Sequence, residues 1–222
     1  RTNPYERHRK QILFTLESCP ALAAERAPHF VFAHVVAPHP PFVFDPDGNL
    51  PADVRTDRLF SLVDGDHLHG GSVLSPAEYR RLYVDQLRFV NRKVLELLDG
   101  IDARASRPVA VLLQSDHGPG SALRWEEPER TDLKERLAIL GAYRLPGGAG
   151  RDLHDAMTPV NSLRAVLRGA LGFDLPPVPD RSFFSTWSRP WEALPVEEAG
   201  DGSLRLAPPP GPLRAPPSPS SR

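Results

Sequence analysis

Cysteine is nearly absent from this 222-residue chain. Cys19 stands alone, so no internal disulfide can form, and a zinc site built on several thiolates is excluded. The compartment stays open, because an exported domain need not carry disulfides. An excess of either charge is missing too. Lys and Arg number 27 against 28 Asp and Glu, for a formal net charge of -1. A nucleic-acid binder driven by phosphate neutralisation needs a basic excess or stripe, so that class is set aside. No stretch is long and apolar enough to cross a bilayer. The most apolar run, residues 30–44, holds His34, His39, Pro38, Pro40 and Pro41. There is no Gly-rich phosphate loop and no Gly-x-Ser-x-Gly nucleophile elbow. The chain begins at Arg1 rather than Met, and an upstream segment, with any signal peptide, is expected to precede it.

What is present reads as alternating helices and strands. Residues 5–17 suit a helix with Ile12, Leu13 and Leu16 on one side. Residues 30–36, aromatic and β-branched, suit a buried strand. Residues 45–74 form a long polar loop. From Pro76 to about Asp99 a helix is expected, capped by Ser75 with Glu78 completing a capping box and Gly100 as its stop. Residues 109–114 read as a central strand and residues 137–143 as another. A last helix opens at Thr158-Pro159, with Val160, Leu163, Leu167 and Leu171 on its buried face and Gly172 as its stop. This alternation favours a mostly parallel sheet covered on both faces. Residues 199–222, rich in Pro, Gly, Ser and Ala, are expected to be disordered.

The sharpest chemical feature is Ser115-Asp116-His117-Gly118, directly after the strand at 109–114. Ligands in open α/β sheets gather at the carboxyl ends of strands. A carboxylate beside an imidazole suits Zn, Mn or a similar divalent ion. The plainer alternative has Asp116 capping a turn with His117 partly exposed. The second feature is His34 and His39, where the prolines around His39 restrict its backbone. A rigid histidine there suits an anionic oxygen or a metal, whereas His34 also suits a core hydrogen bond. The cluster Asp64, Asp66, His67 and His69 matches no ligand spacing and reads as a solvated, flexible loop. Asp85, Arg88 and Arg92 fall on the polar side of the long helix. Tyr79 and Tyr83 read as core, and Arg124 is a further anion-binding candidate.

In order, these pieces resemble the C-terminal half of sulfatase-like hydrolases of the alkaline phosphatase superfamily. The pieces are His34-x4-His39-Pro40-Pro41-Phe42, Tyr79-x3-Tyr83-x-Asp85-Gln86-Leu87, Ser115-Asp116-His117-Gly118, Arg136-Leu137-Ala138-Ile139-Leu140 and Thr158-Pro159-Val160-Asn161. The likeness covers roughly residues 5–187 and is nearest to bacterial membrane-attached members, relatives of the lipoteichoic acid synthases and phosphoethanolamine transferases. It implies an α/β/α sandwich with a mostly parallel central sheet whose N-terminal part is missing. Residues 1–190 would be the C-terminal part of the catalytic domain and residues 191–222 a Pro-rich disordered tail. It implies that Asp116 and His117 hold a divalent metal ion (Zn, Mn, Mg or Ca), and that His39 is catalytic and contacts the transferred group; His34, from its place on the same run, is a second substrate-contact candidate. The activity implied is hydrolysis or transfer of a phosphate or sulfate ester on a lipid or cell-envelope glycan. It implies membrane attachment through the missing N-terminal part, with the catalytic domain outside the cytoplasm at the bacterial cell membrane.

The departures bear on activity. The family's nucleophile is a Thr, Ser or modified Cys near an early acidic ligand, and neither can be placed here. Thr2 and Thr15 lie before or in a helix, and Cys19 lacks the sulfatase surroundings. The isolated chain is therefore expected to be inactive. The competing reading is a catalytically incomplete pseudoenzyme or binding domain of the same fold. A metal-storing or metal-sensing protein built on the eight histidines fits less well, because they are scattered.

Overall fold

The computed structural model describes residues 3–26, 28–52, 54, 60–69, 74–148, 150 and 152–208. The chain opens with helix α1, Pro4–Leu22, where the Asn3 side chain accepts the Tyr5 N–H and Pro4 sits in the first turn. Tyr5, His8, Ile12, Leu16 and Pro20 recur at helical spacing and form its buried stripe. A short α2 (Asp66–His69) precedes the long α3, Pro76–Asp102. Ser75 and Glu78 form the expected capping box at its start. Gly100 does not end α3. It sits where α1 crosses, and a Cβ there would lie 3.0 Å from Pro20 Cβ, so its missing side chain permits the close approach.

The core between these helices is aromatic. Phe44 stacks on Phe89 at 4.5 Å, and both pack with Tyr5, Ile12, Leu16 and Val43. Phe42, Tyr79 and Leu82 form a second cluster beside it.

Strand β1 (Val111–Gln114) pairs with β2 (Gly141–Arg144), with Leu112 opposite Tyr143. The pair is antiparallel, and so are β3 (Ser182–Phe184), β4 (Leu194–Glu198) and β5 (Leu204–Leu206), which form a meander. Among the described residues the chain thus mixes helix and strand, but the expected parallel pairing is not seen. The connection from β1 to β2 contains a single 3-10 turn (Pro128–Arg130) and the five-residue helix α4 (Leu133–Leu137). At about 1.5 Å per residue α4 is shorter than the ~13 Å strand it would have to run back along for a parallel crossover. α4, whose start is capped by Asp132 accepting the Glu135 N–H, also takes Leu137, the first residue of the strand expected at 137–143.

Three other expectations are corrected. Residues 30–36 form no strand. Phe30, Val31 and Phe32 are 78%, 47% and 82% exposed, and no backbone hydrogen bond is recorded for Phe30 to His34. A buried strand needs neighbours on both edges and faces, and of this segment only Val35 packs against the core, while Phe30 to His34 have no ladder partner among the described residues. Helix α5 (Pro159–Leu171), ended by Gly172 in the left-handed region, buries Asn161, Ser162 and Ala165 while Val160, Leu163 and Leu171 are exposed. Polar contacts set this rotation. The Asn161 amide exchanges hydrogen bonds with the Val178 backbone, and Ser162 meets the Tyr143 hydroxyl at 2.7 Å. Finally, β4 and β5 lie within the stretch expected to be a disordered tail. Val196, Leu204 and Leu206 pack on Leu123, Leu133 and Phe184. Residues 209–222 lie outside the described residues.

Candidate metal centre

Two histidines are held in the same way. His39 lies in a proline-rich turn with cis bonds at Ala37–Pro38 and Pro40–Pro41. Behind this turn sits Gln86 of α3, fully buried. Its Oε1 accepts the N–H groups of Val43 (2.7 Å) and Phe44 (3.1 Å), and its Nε2 donates to the His39 carbonyl (3.3 Å). The His39 Nδ1 is 2.5 Å from the Pro40 carbonyl. His117 follows β1, where the Ser115 N–H donates to the Leu140 carbonyl and the Leu140 N–H to Ser115 Oγ. Its Nδ1 is 2.8 Å from the Gly118 carbonyl. A carbonyl can only accept, so in the neutral form of each ring this contact places the proton on Nδ1 and leaves the lone pair on Nε2.

The third member is Asp64, buried at 5% exposure. Its Oδ1 accepts the Tyr79 hydroxyl (2.8 Å) and the Gly65 N–H (2.9 Å), and its Oδ2 accepts Arg136 Nη1 (2.8 Å). Arg136 also donates to the Gly118 carbonyl, and the Gly120 N–H donates to the Tyr79 oxygen. Burial, and then the Asp64 charge, push the Tyr79 hydroxyl pKa up, so Tyr79 remains a donor. Gly120 lies flat against the carboxylate, since a Cβ there would come 2.5 Å from Oδ1. Gly118 presses on α4, where a Cβ would come 2.0 Å from the Glu135 carbonyl. A carboxylate has about four acceptor sites, and the three donors leave one for a further partner.

One ligand atom each from His39, Asp64 and His117 lies within 4.8 Å of the other two. The donor set is two imidazoles and a carboxylate, which suits Zn or Mn. Metal-bound histidines commonly donate their other ring N–H to a backbone carbonyl, as both do here. By donor chemistry and orientation, the residues present fit a divalent ion. No family model, curated protein or solved structure matches the chain. The reading of the site therefore rests on its own geometry.

The other residues singled out in the sequence fall as follows. Asp116 lies outside the cluster, its side chain 78% exposed, with Oδ2 3.5 Å from His117 Nε2. Its backbone-capping contact to the His117 N–H matches the plainer alternative given for it. His34 is exposed and does not join the cluster. Asp64 overturns the solvated-loop expectation because Tyr79 and Arg136 draw its carboxylate inward. Asp66 accepts the Trp125 N–H, and His67 stacks on Trp125. The His69 side chain lies outside the described residues. Asp85 faces Arg81 and Arg88 on the α3 surface, and the Arg124 backbone is tied to Thr131. Tyr79 is core, as expected, but its hydroxyl also serves the site. Arg136, Gln86 and Asp64 went unrecognised as site residues. A usable signal was Gly118-Pro119-Gly120, since two glycines around a proline mark close backbone approach.

Proposed function

We propose that His39, Asp64 and His117 bind a divalent cation and that the site handles a phosphate or sulfate ester, by hydrolysis or transfer. The observation that supports this most is the pair of histidines, distant in sequence, whose Nδ1–H groups are spent on their neighbours' carbonyls while a buried carboxylate lies within 4.8 Å. The cation would supply positive charge against the ester's anionic oxygens. Asp116 lies outside the cluster, but the family resemblance implies a metal-ligand role for it, and its Oδ2 is 3.5 Å from His117 Nε2. Gln86 holds the His39 backbone, and Arg136 holds Asp64 and the Gly118 carbonyl, so the donors are set before any ligand arrives. Turnover is not expected of the chain by itself, because its sequence offers no hydroxyl in the family's nucleophile context.

Calorimetric titration with Zn and Mn tests the reading. His39→Ala and His117→Ala are each expected to weaken binding by about tenfold or more. His34→Ala is expected to leave it unchanged. Asp116→Ala and Asp64→Asn report which carboxylate supplies the oxygen ligand. Inorganic phosphate or sulfate is expected to bind the metal-loaded chain more tightly than the metal-free one. Wild-type metal affinity in both histidine variants refutes the site.

A further inference from the structure

Two tyrosines leave the same face of α3 one turn apart, and their hydroxyls fare differently. Tyr79 and Tyr83 stack with ring centres 6.2 Å apart and planes within 14° of parallel. Phe42 meets both nearly at right angles, at 5.1 Å and 6.4 Å, and holds the two rings in place. The Tyr79 hydroxyl is spent on Asp64 and on the Gly120 N–H. The Tyr83 hydroxyl makes no hydrogen bond to a described residue, and its oxygen is not sealed from solvent. The charges around that hydroxyl are those of the site. Burial, and then Asp64, Glu135 and Asp116, push its pKa up, against the pull of Arg136. A half-buried phenol facing three carboxylates stays protonated, so it offers a proton and brings no negative charge.

We infer that the Tyr83 hydroxyl donates a hydrogen bond to an oxygen of the anion held at the His39–Asp64–His117 cluster, which makes Tyr83 a binding residue for the phosphate or sulfate group. This rests on the function proposed above. An oxyanion brought up to Asp64, Glu135 and Asp116 meets their negative charge and needs donors to offset it. The other donors around these carboxylates are committed. Arg136 donates to Asp64 and the Gly118 carbonyl, Ser121 Oγ to Glu135, and Arg80 pairs with Glu135. Ring packing against Phe42 and Tyr79 needs no oxygen, so the Tyr83 hydroxyl is available to a ligand. A hydrogen bond to an ionised acceptor is about twice as strong as one between neutral groups. The ring is already fixed by its neighbours, so little side-chain freedom is lost when the bond forms.

The test is calorimetry on the full chain, with inorganic phosphate titrated into Zn-loaded and metal-free protein. Tyr83→Phe is expected to keep the wild-type Zn affinity and melting temperature, and to weaken phosphate binding to the Zn-loaded chain by about tenfold. Phosphate is also expected to shift the near-ultraviolet tyrosine absorbance of the Zn-loaded wild type, and Tyr83→Phe to lose that shift. Unchanged phosphate affinity in Tyr83→Phe overturns the inference. So does a parallel loss of Zn affinity, which would make the hydroxyl part of the cluster's scaffold. If phosphate binds the wild type neither with Zn nor without it, the ester reading and this inference fall together. If it binds equally in both forms and still weakens in Tyr83→Phe, the tyrosine contact stands and the metal's part in holding the anion falls.

Discussion

Replacing Arg136 by Met tests the electrostatic architecture of the site. Arg136 and Asp64 pair at 2.8 Å with side chains only 11% and 4% exposed. Met keeps much of the Arg stem but leaves the carboxylate buried with Tyr79 and Gly65 as its donors, and leaves the Gly118 carbonyl short of one. Removing one partner of a buried pair costs about 3–5 kcal/mol. For a chain of this size each kcal/mol lowers the melting temperature by roughly 2–4 °C, so a fall of about 6–20 °C is expected. The double variant Asp64→Asn/Arg136→Met removes the stranded charge and is expected to melt above Arg136→Met alone. Arg205→Met supplies the contrast. It breaks an ion pair to Glu197 whose side chains are 65% and 42% exposed, and such pairs are worth at most about 1 kcal/mol. Thermal melts followed by circular dichroism read all three. An Arg136→Met protein melting within about 2 °C of wild type, or a double variant no better than the single, refutes the reasoning.

Gly120→Ala is expected to push the Asp64 carboxylate aside, destabilising by about 1–3 kcal/mol and weakening Zn binding in calorimetry. Gly118→Ala meets α4 backbone instead of a side chain and is expected to lose more stability than Gly120→Ala in the same melts. Gln86→Leu leaves the Val43 and Phe44 N–H groups buried without acceptors, at about 1–3 kcal/mol each, and is expected to weaken metal binding by loosening His39. His8 is buried, and that burial lowers its pKa, with His39 adding to the shift against the hydrogen bond to Val36. The folded state therefore binds fewer protons at His8 than the unfolded state does. Stability is complete above the unfolded value of about 6.5 and is lost as pH falls through the depressed folded value. His8→Gln is expected to flatten the melting temperature between pH 7.5 and 5, and an unchanged slope would count against this.

Local signals in the sequence located elements better than they located neighbours. Ser75, Pro76 and Glu78 marked the start of α3 because capping chemistry acts within one turn. The αL stop at Gly172 is equally local. The apolar stripe of α5 misled, because its rotation is set by Asn161 and Ser162 clasping distant backbone and Tyr143. Residues 30–36 read as a buried strand because their composition suits one, but burial depends on what lies alongside. At the site, His39 and His117 were legible as polar groups at the ends of apolar runs. Asp64 was not, since nothing in Asp64-Gly65-Asp66 shows which carboxylate turns inward. Its burial depends on Tyr79, Arg136 and Gly120, brought together only by the fold.

The segment 30–36, exposed from Phe30 to His34, also shapes how this chain behaves in a crowd. Seven consecutive residues carry no formal charge, no Pro and no Gly, the composition from which cross-β stacking grows. From Phe30 to His34 the backbone has no ladder partner among the described residues, so pairing with a second copy displaces none. Pro28 and Pro38 bracket the stretch, and neither can donate to a ladder. Any intermolecular sheet seeded here is confined to the residues between them. The two prolines act as gatekeepers, limiting the length of an aggregation nucleus while leaving the stretch itself open to pairing.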